Sequence, residues 1–185
     1  MPAHIPPIHR PADAPPELRS AVEALFTTLM PGVDDPHFDE AHDGMALAAH
    51  NPAIAQALAT LGSVTMDGKG FAAEADLREI LAQVVNRHFG QSYAASTRHS
   101  AAHAAGLTDE HLSALATLTA AENPAFTARQ RLVISYSRAV AANTVPDELT
   151  AQMIAEFGDA ATVEATALVG FFAMWALFLN ALRPG

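Results

Sequence analysis

Residues 72–88 read "AAEADLREILAQVVNRH". Apolar residues stand at 77, 80, 81, 84 and 85. Those steps of three and four place Leu77, Ile80, Leu81, Val84 and Val85 on one face of an α-helix. Glu79, Ala82, Gln83 and Asn86 share the other face. The spacing predicts a helix from about 72 to 88, stopped by Gly90, with a buried stripe and a polar side. The same grammar repeats on both sides of this segment, so the fold class expected is all-α.

Upstream, Leu18, Val22, Leu25, Phe26 and Leu29 form a stripe over about 16–30. In "NPAIAQALATLG", Asn51 is a cap, Pro52 fits the first helical position and Gly62 the stop. Ile54, Leu58 and Leu61 are its expected apolar face. Downstream, a helix follows Gly90 to about 105 and Gly106 ends it. Thr108 caps the next, with Asp109 and Glu110 in the first turn where the helix dipole favours anions. "TARQ" at 127–130 is a capping box. It opens a helix with Leu132, Val133, Tyr136, Val140 and Asn143 along one side. Pro146 starts another, Gly158 ends it, and Asp159 opens a long apolar helix. No segment alternates like a strand.

Composition narrows the function classes. A chain of 185 residues that is half apolar suits one domain with a sizeable core. The expected division is a Pro-rich extended arm over 1–16, holding six of the twelve prolines, and a single domain over 17–185. The net charge is −10, and Lys69 is the one lysine. Without a basic cluster, no nucleic-acid partner is expected. The absence of cysteine excludes protein thiolates as metal ligands or redox groups. The first seventeen residues show no apolar signal core, and a cytoplasmic location is expected. Residues 165–182, "ATALVGFFAMWALFLNAL", carry no charge. Eighteen residues sit at the short limit for a membrane span, so the expectation is a helix buried in a core or an oligomer interface, with no membrane partner.

"AAGLTDEH" and the flanking helices carry a resemblance. The order is helix with an internal Glu, Gly, a short polar stretch with Tyr, helix, "AGLTDEH", helix. From about Asn51 to Arg183 the chain resembles the carboxymuconolactone decarboxylase and alkylhydroperoxidase D superfamily. The resemblance implies an all-α bundle of that type and a homo-oligomer. Peroxidase members carry a Cys-x-x-Cys with a following His and a preceding Glu. Aligned through Tyr93 and "AAGL", the Glu falls on Glu79, the cysteines on Gln91 and Ala94, and the His on Arg98, with His99 next to it. With no thiol, peroxidase chemistry is disfavoured. The resemblance is closer to decarboxylase-type members, which work by acid and base.

The candidate site follows from these residues. Glu79 is expected to move a proton, since a partly desolvated carboxylate exchanges protons nearer neutrality than a solvated one; the alternative is a solvated helix face. Arg98 would orient an anionic group through its planar fork, or form a surface ion pair. His99 or His88 would serve as a second acid or base. Gln91, Ser92 and Tyr93 begin a helix after Gly90 whose N–H groups could hold an oxyanion, unless Ser92 is simply a cap. His99 and His103 stand at i, i+4, but no third ligand is evident and no metal is expected. His37 and His42 lie in the acidic loop "PHFDEAHDG", which reads as solvated or as a pocket cover. The reading is a cofactor-independent lyase or isomerase on a small organic acid or lactone. The alternative is a catalytically silent oligomer that binds a ligand or serves as structure.

Overall fold

The computed structural model describes residues 5–117 and 120–182, and Arg183 at the end of the resemblance lies outside them. Every regular element among the described residues is helical. In chain order they are α1 Arg19–Leu29, α2 Asp43–Ala48, α3 Pro52–Thr65, α4 Ala75–His88, α5 Ser92–Thr97, α6 His99–Ala104, α7 Asp109–Leu115, α8 Ala128–Ala141 and α9 Asp147–Leu182. The chain groups into two compact units, residues 1–64 with 177–185, and residues 65–176.

In the second unit α4 is the central element, packed on α5, α6, α7 and most extensively on α8. Its predicted stripe is buried as expected: Leu77, Ile80, Leu81, Val84 and Val85 are at most 3% exposed. They pack with Phe71, Leu115, Phe126, Ile134, Met153, Leu168 and Phe172. Each such side chain stabilises the fold by about 1.5–3 kcal/mol relative to exposure. The polar side is buried as well. Glu79 and Gln83 are fully buried and Asn86 nearly so. The helix is therefore enclosed on all sides, and the solvated face that the pattern allowed does not exist.

The helix ends follow local chemistry closely. Thr127 accepts from the Gln130 N–H at 3.2 Å while Gln130 Oε1 accepts from the Thr127 N–H at 2.9 Å, a reciprocal cap. Thr108 makes the same box with His111. Gly90, at φ +69°, turns the chain out of α4 in the left-handed conformation. The Gln91 N–H then donates to the Asn86 carbonyl at 2.8 Å and closes the helix end. Gly158, at φ +83° and ψ 168°, breaks α9 into two stretches at the predicted place.

Other boundaries moved. Helix α3 runs through Gly62 to Thr65, because an interior glycine costs only about 1 kcal/mol and does not by itself stop a helix. The stretch after Gly90 is two short helices, divided at Arg98. Asn143 lies beyond α8, at φ +55°, rather than along its side.

The first unit holds the proline-rich segment. Its described part lies against the chain's own residues: the Ile8 N–H donates to the Ala46 carbonyl and the Phe38 N–H to the His9 carbonyl, both at 2.9 Å. Ile8 is buried, as are Val22, Leu25 and Phe26. Proline cannot donate, so such an arm is held by the few N–H groups between prolines. The expected apolar face of α3 is largely open, with Ile54 48% and Leu61 43% exposed.

Helix α9 carries the apolar stretch 165–182, which is partly covered within the chain. It is long and apolar enough to cross a membrane by length and composition, and a third of its most apolar window is buried. Within the second unit, Ala165, Leu168, Val169 and Phe172 face the core while Val163 is 69% exposed.

Candidate functional site

The polar row of α4 meets α5 and α6 across two rungs. In the first, Arg98 grips Glu79 bidentately: Nε donates to Oε2 at 2.9 Å and Nη2 to Oε1 at 2.6 Å. One turn further along α4, Gln83 Nε2 donates to the Ala95 carbonyl at 2.8 Å. A carboxylate and an amide thus survive full burial because each finds donors or acceptors on the facing segment. The break between α5 and α6 at Arg98 places the guanidinium where it reaches back to α4. Its flat face also lies over the Phe172 ring, 5.0 Å from the centroid.

Arg78 completes the cluster. Its Nε donates to Glu79 Oε1 at 3.3 Å and its Nη1 to the Ala72 carbonyl at 2.8 Å. That carbonyl sits on the turn before α4, which Glu164 fixes by accepting the Phe71 N–H at 2.6 Å. Among the described residues the ion pairs of Arg78 and Arg98 both end on Glu79. Two guanidiniums and one carboxylate leave one positive charge in excess, in a chain whose net charge is −10. Both arginine side chains are mostly covered, 21% and 24% exposed. A partly desolvated excess cation attracts a single small anion more strongly than a solvated one does.

His99 follows Arg98 directly. Its Nε2 is buried and has no hydrogen-bond partner, as is Gln83 Oε1. Arg87 Nε and Ser137 Oγ are buried without a partner as well, and each such atom costs about 1–3 kcal/mol.

The remaining predicted residues lie apart from this cluster in their bonding. His88 is exposed at the end of α4, edge-on to Phe89 with ring centroids 5.0 Å apart. Gln91 is mostly buried, and its side chain rather than that of Ser92 caps α5, accepting from the Ala94 N–H at 3.4 Å. Ser92 is exposed, and its N–H already donates to the Gly90 carbonyl at 3.2 Å. Tyr93 is half-buried. His103 is engaged by the Leu107 carbonyl and by Asp109 at 3.2 Å. In the acidic loop, His42 pairs with Asp39 at 2.6 Å, and His37 bonds the Asp35 carbonyl. Among the described residues no three His, Asp or Glu side chains gather in a group that could hold a metal ion.

The sequence pattern pointed to Glu79 and Arg98, which the structure brings together, and to His99, and it did not single out Arg78 or Gln83. The signal for Gln83 was present, since it stands one helical turn from Glu79 on the same face. Arg78 gave none, because its neighbours are set by the turn at 70–73. No family model, no curated protein and no solved structure matches this chain, so its functional reading rests on the cluster around Glu79.

Proposed function

We propose that the chain is a carboxymuconolactone decarboxylase-like protein that acts on a small organic acid or lactone by acid/base chemistry without a cofactor. The observation that carries this reading is the charge excess at Arg78, Glu79 and Arg98. A substrate carboxylate supplies the missing negative charge and takes a share of the Arg98 fork. Glu79 keeps Arg78 as Arg98 turns towards the substrate, and its freed oxygen faces the bound acid as the proton-moving group. His99, with a buried and unpartnered Nε2, supplies the second acid or base. The open apolar faces at Ile54, Leu61 and Val163 support a homo-oligomer.

A second reading is favoured by the closure of the pair. Both Glu79 oxygens are taken by Arg98, with no group between them. In that reading the cluster is a structural clamp and the protein binds ligands without turnover.

Glu79→Gln removes the counter-charge of two arginines and so disturbs the fold itself. His99→Gln leaves the ion cluster intact. With a panel of small lactone carboxylates and 3-oxo acids, followed by release of CO2 or ring opening, His99→Gln is expected to lower turnover by about 100-fold or more with unchanged melting. Wild-type rates in that variant reject the acid/base reading. Binding of small carboxylates with no turnover in the parent protein selects the silent one.

A further inference from the structure

Helix α9 breaks at Gly158, and a cleft of about 540 Å³ lies along the break, within the second unit. Thr150 and Ile154 line it from before the glycine, and Asp159, Thr162 and Thr166 from after it. Tyr136 of α8 joins them. Tyr136 and Thr162 are buried, while Ile154 and Val163, which also line the cleft, stand 41% and 69% exposed. A polar inner wall thus lies behind apolar lips, in a volume that suits a small ligand.

The hydrogens on that wall are already committed. Thr162 Oγ1 donates to the Gly158 carbonyl at 2.8 Å, and Thr166 Oγ1 donates to the Thr162 carbonyl at 2.7 Å. A carbonyl only accepts, so each threonine has used its one hydroxyl hydrogen. The 2.7 Å contact between Tyr136 Oη and Thr166 Oγ1 is therefore donated by the tyrosine. All three hydroxyls are left with lone pairs and no free hydrogen. The Asp159 carboxylate is acceptor-only as well, and the Thr150 hydroxyl can turn either way. Among the described residues lining the cleft, Asp159 carries the one charge. Such a wall repels a carboxylate or a phosphate. It suits a positive group with several hydrogens to give, and an ammonium has three donors and no acceptor. Ile154, Val163 and Ala167 offer apolar surface for a carbon body. The net charge of −10 draws cations towards the chain.

We infer that the cleft at the break of α9 binds a small primary amine with an apolar body, its ammonium taken by Asp159 and the hydroxyl oxygens of the wall. Arg78, Glu79 and Arg98 do not line this cleft, so the inference stands apart from the acid chemistry proposed above.

Titration calorimetry on the full chain at neutral pH tests this with three probes that share one ring. Benzylamine carries charge and donors, benzyltrimethylammonium keeps the charge without the donors, and benzyl alcohol is neutral. Benzylamine is expected to bind with a Kd of about 1 mM, about tenfold more tightly than either of the others. Asp159→Asn is expected to weaken benzylamine about tenfold and to leave benzyl alcohol unchanged. Ala167→Phe, at an exposed position, fills the cleft and is expected to abolish binding with unchanged melting. Benzyl alcohol bound as tightly as benzylamine makes the cleft a plain apolar groove and overturns the inference. Equal binding of benzyltrimethylammonium overturns the role of the hydroxyl oxygens. Full affinity in Asp159→Asn overturns that of the carboxylate, and full affinity in Ala167→Phe places the amine elsewhere.

Discussion

Helices α4 and α9 exchange the environments that their compositions suggest. Helix α4 carries Glu79, Gln83 and Asn86, yet all three are buried. Between Gly158 and Leu182 the only charges are Asp159 and Glu164, yet Val163 stands 69% exposed. The difference teaches that burial follows position in the packing, and composition only sets what that burial costs. Helix α4 is ringed by α5, α6, α7 and α8. Its polar side is tolerable there because Arg98, Arg78 and the Ala95 carbonyl meet it. The part of α9 in the second unit is covered on one side, and its other side keeps apolar surface open.

The largest effect should come from breaking the compensation on α4. Glu79→Gln leaves Arg78 and Arg98 without their counter-charge, and the expected loss is about 3–5 kcal/mol by urea denaturation. A loss below about 1 kcal/mol would show that the guanidiniums relax into solvent and that the cluster is not a clamp. On α9 the two faces should separate cleanly. Leu168→Ala, on the covered side, is expected to cost about 3 kcal/mol. Val163→Ser, on the open side, is expected to change monomer stability by less than about 0.5 kcal/mol. If Val163→Ser instead destabilises in a concentration-dependent way, that face is covered by another chain in solution.

The smallest effect belongs to the exposed ion pairs of the first unit. The His42 ring, hydrogen-bonded to Asp39, holds its carboxyl below the ordinary value of 3.8. A lowered carboxylate stabilises the folded state above its unfolded value, and that stabilisation is lost as pH falls through the lowered one. Asp39→Asn should therefore flatten the acid limb of a stability profile by lowering stability above about pH 4 by at most about 0.5 kcal/mol, and leave stability at more acid pH nearly unchanged. Arg10 lowers Asp35 in the same way, through a bond of 2.6 Å at the surface.

Most helix ends were legible because their causes are local. The Thr127 and Gln130 box, the Thr108 cap, Gly90 and Gly158 each act within a few residues, and each stands where the pattern put it. Gly62 misled, since a glycine stops a helix only where the following residues leave it. The apolar stripe of α4 was legible from spacing, but the fate of its other face was not. Spacing tells which residues share a face; it does not tell how many neighbours a helix has.

The sequence by itself determined an all-helical chain, its main breaks, the lack of thiol chemistry and the coincidence of Glu79, Gln83 and Asn86 on one side of α4. These follow from steric, capping and periodic rules that act over one or two turns. Only the tertiary structure decided that this side is enclosed, that Arg78 and Arg98 converge on one carboxylate, and that Gln83 and His99 each keep a buried atom unpaired. The physical reason is range. A cap or a stripe is written in neighbouring residues, whereas the bidentate partner of Glu79, Arg98, comes from a helix break nineteen positions later, and packing alone brings it within 3 Å.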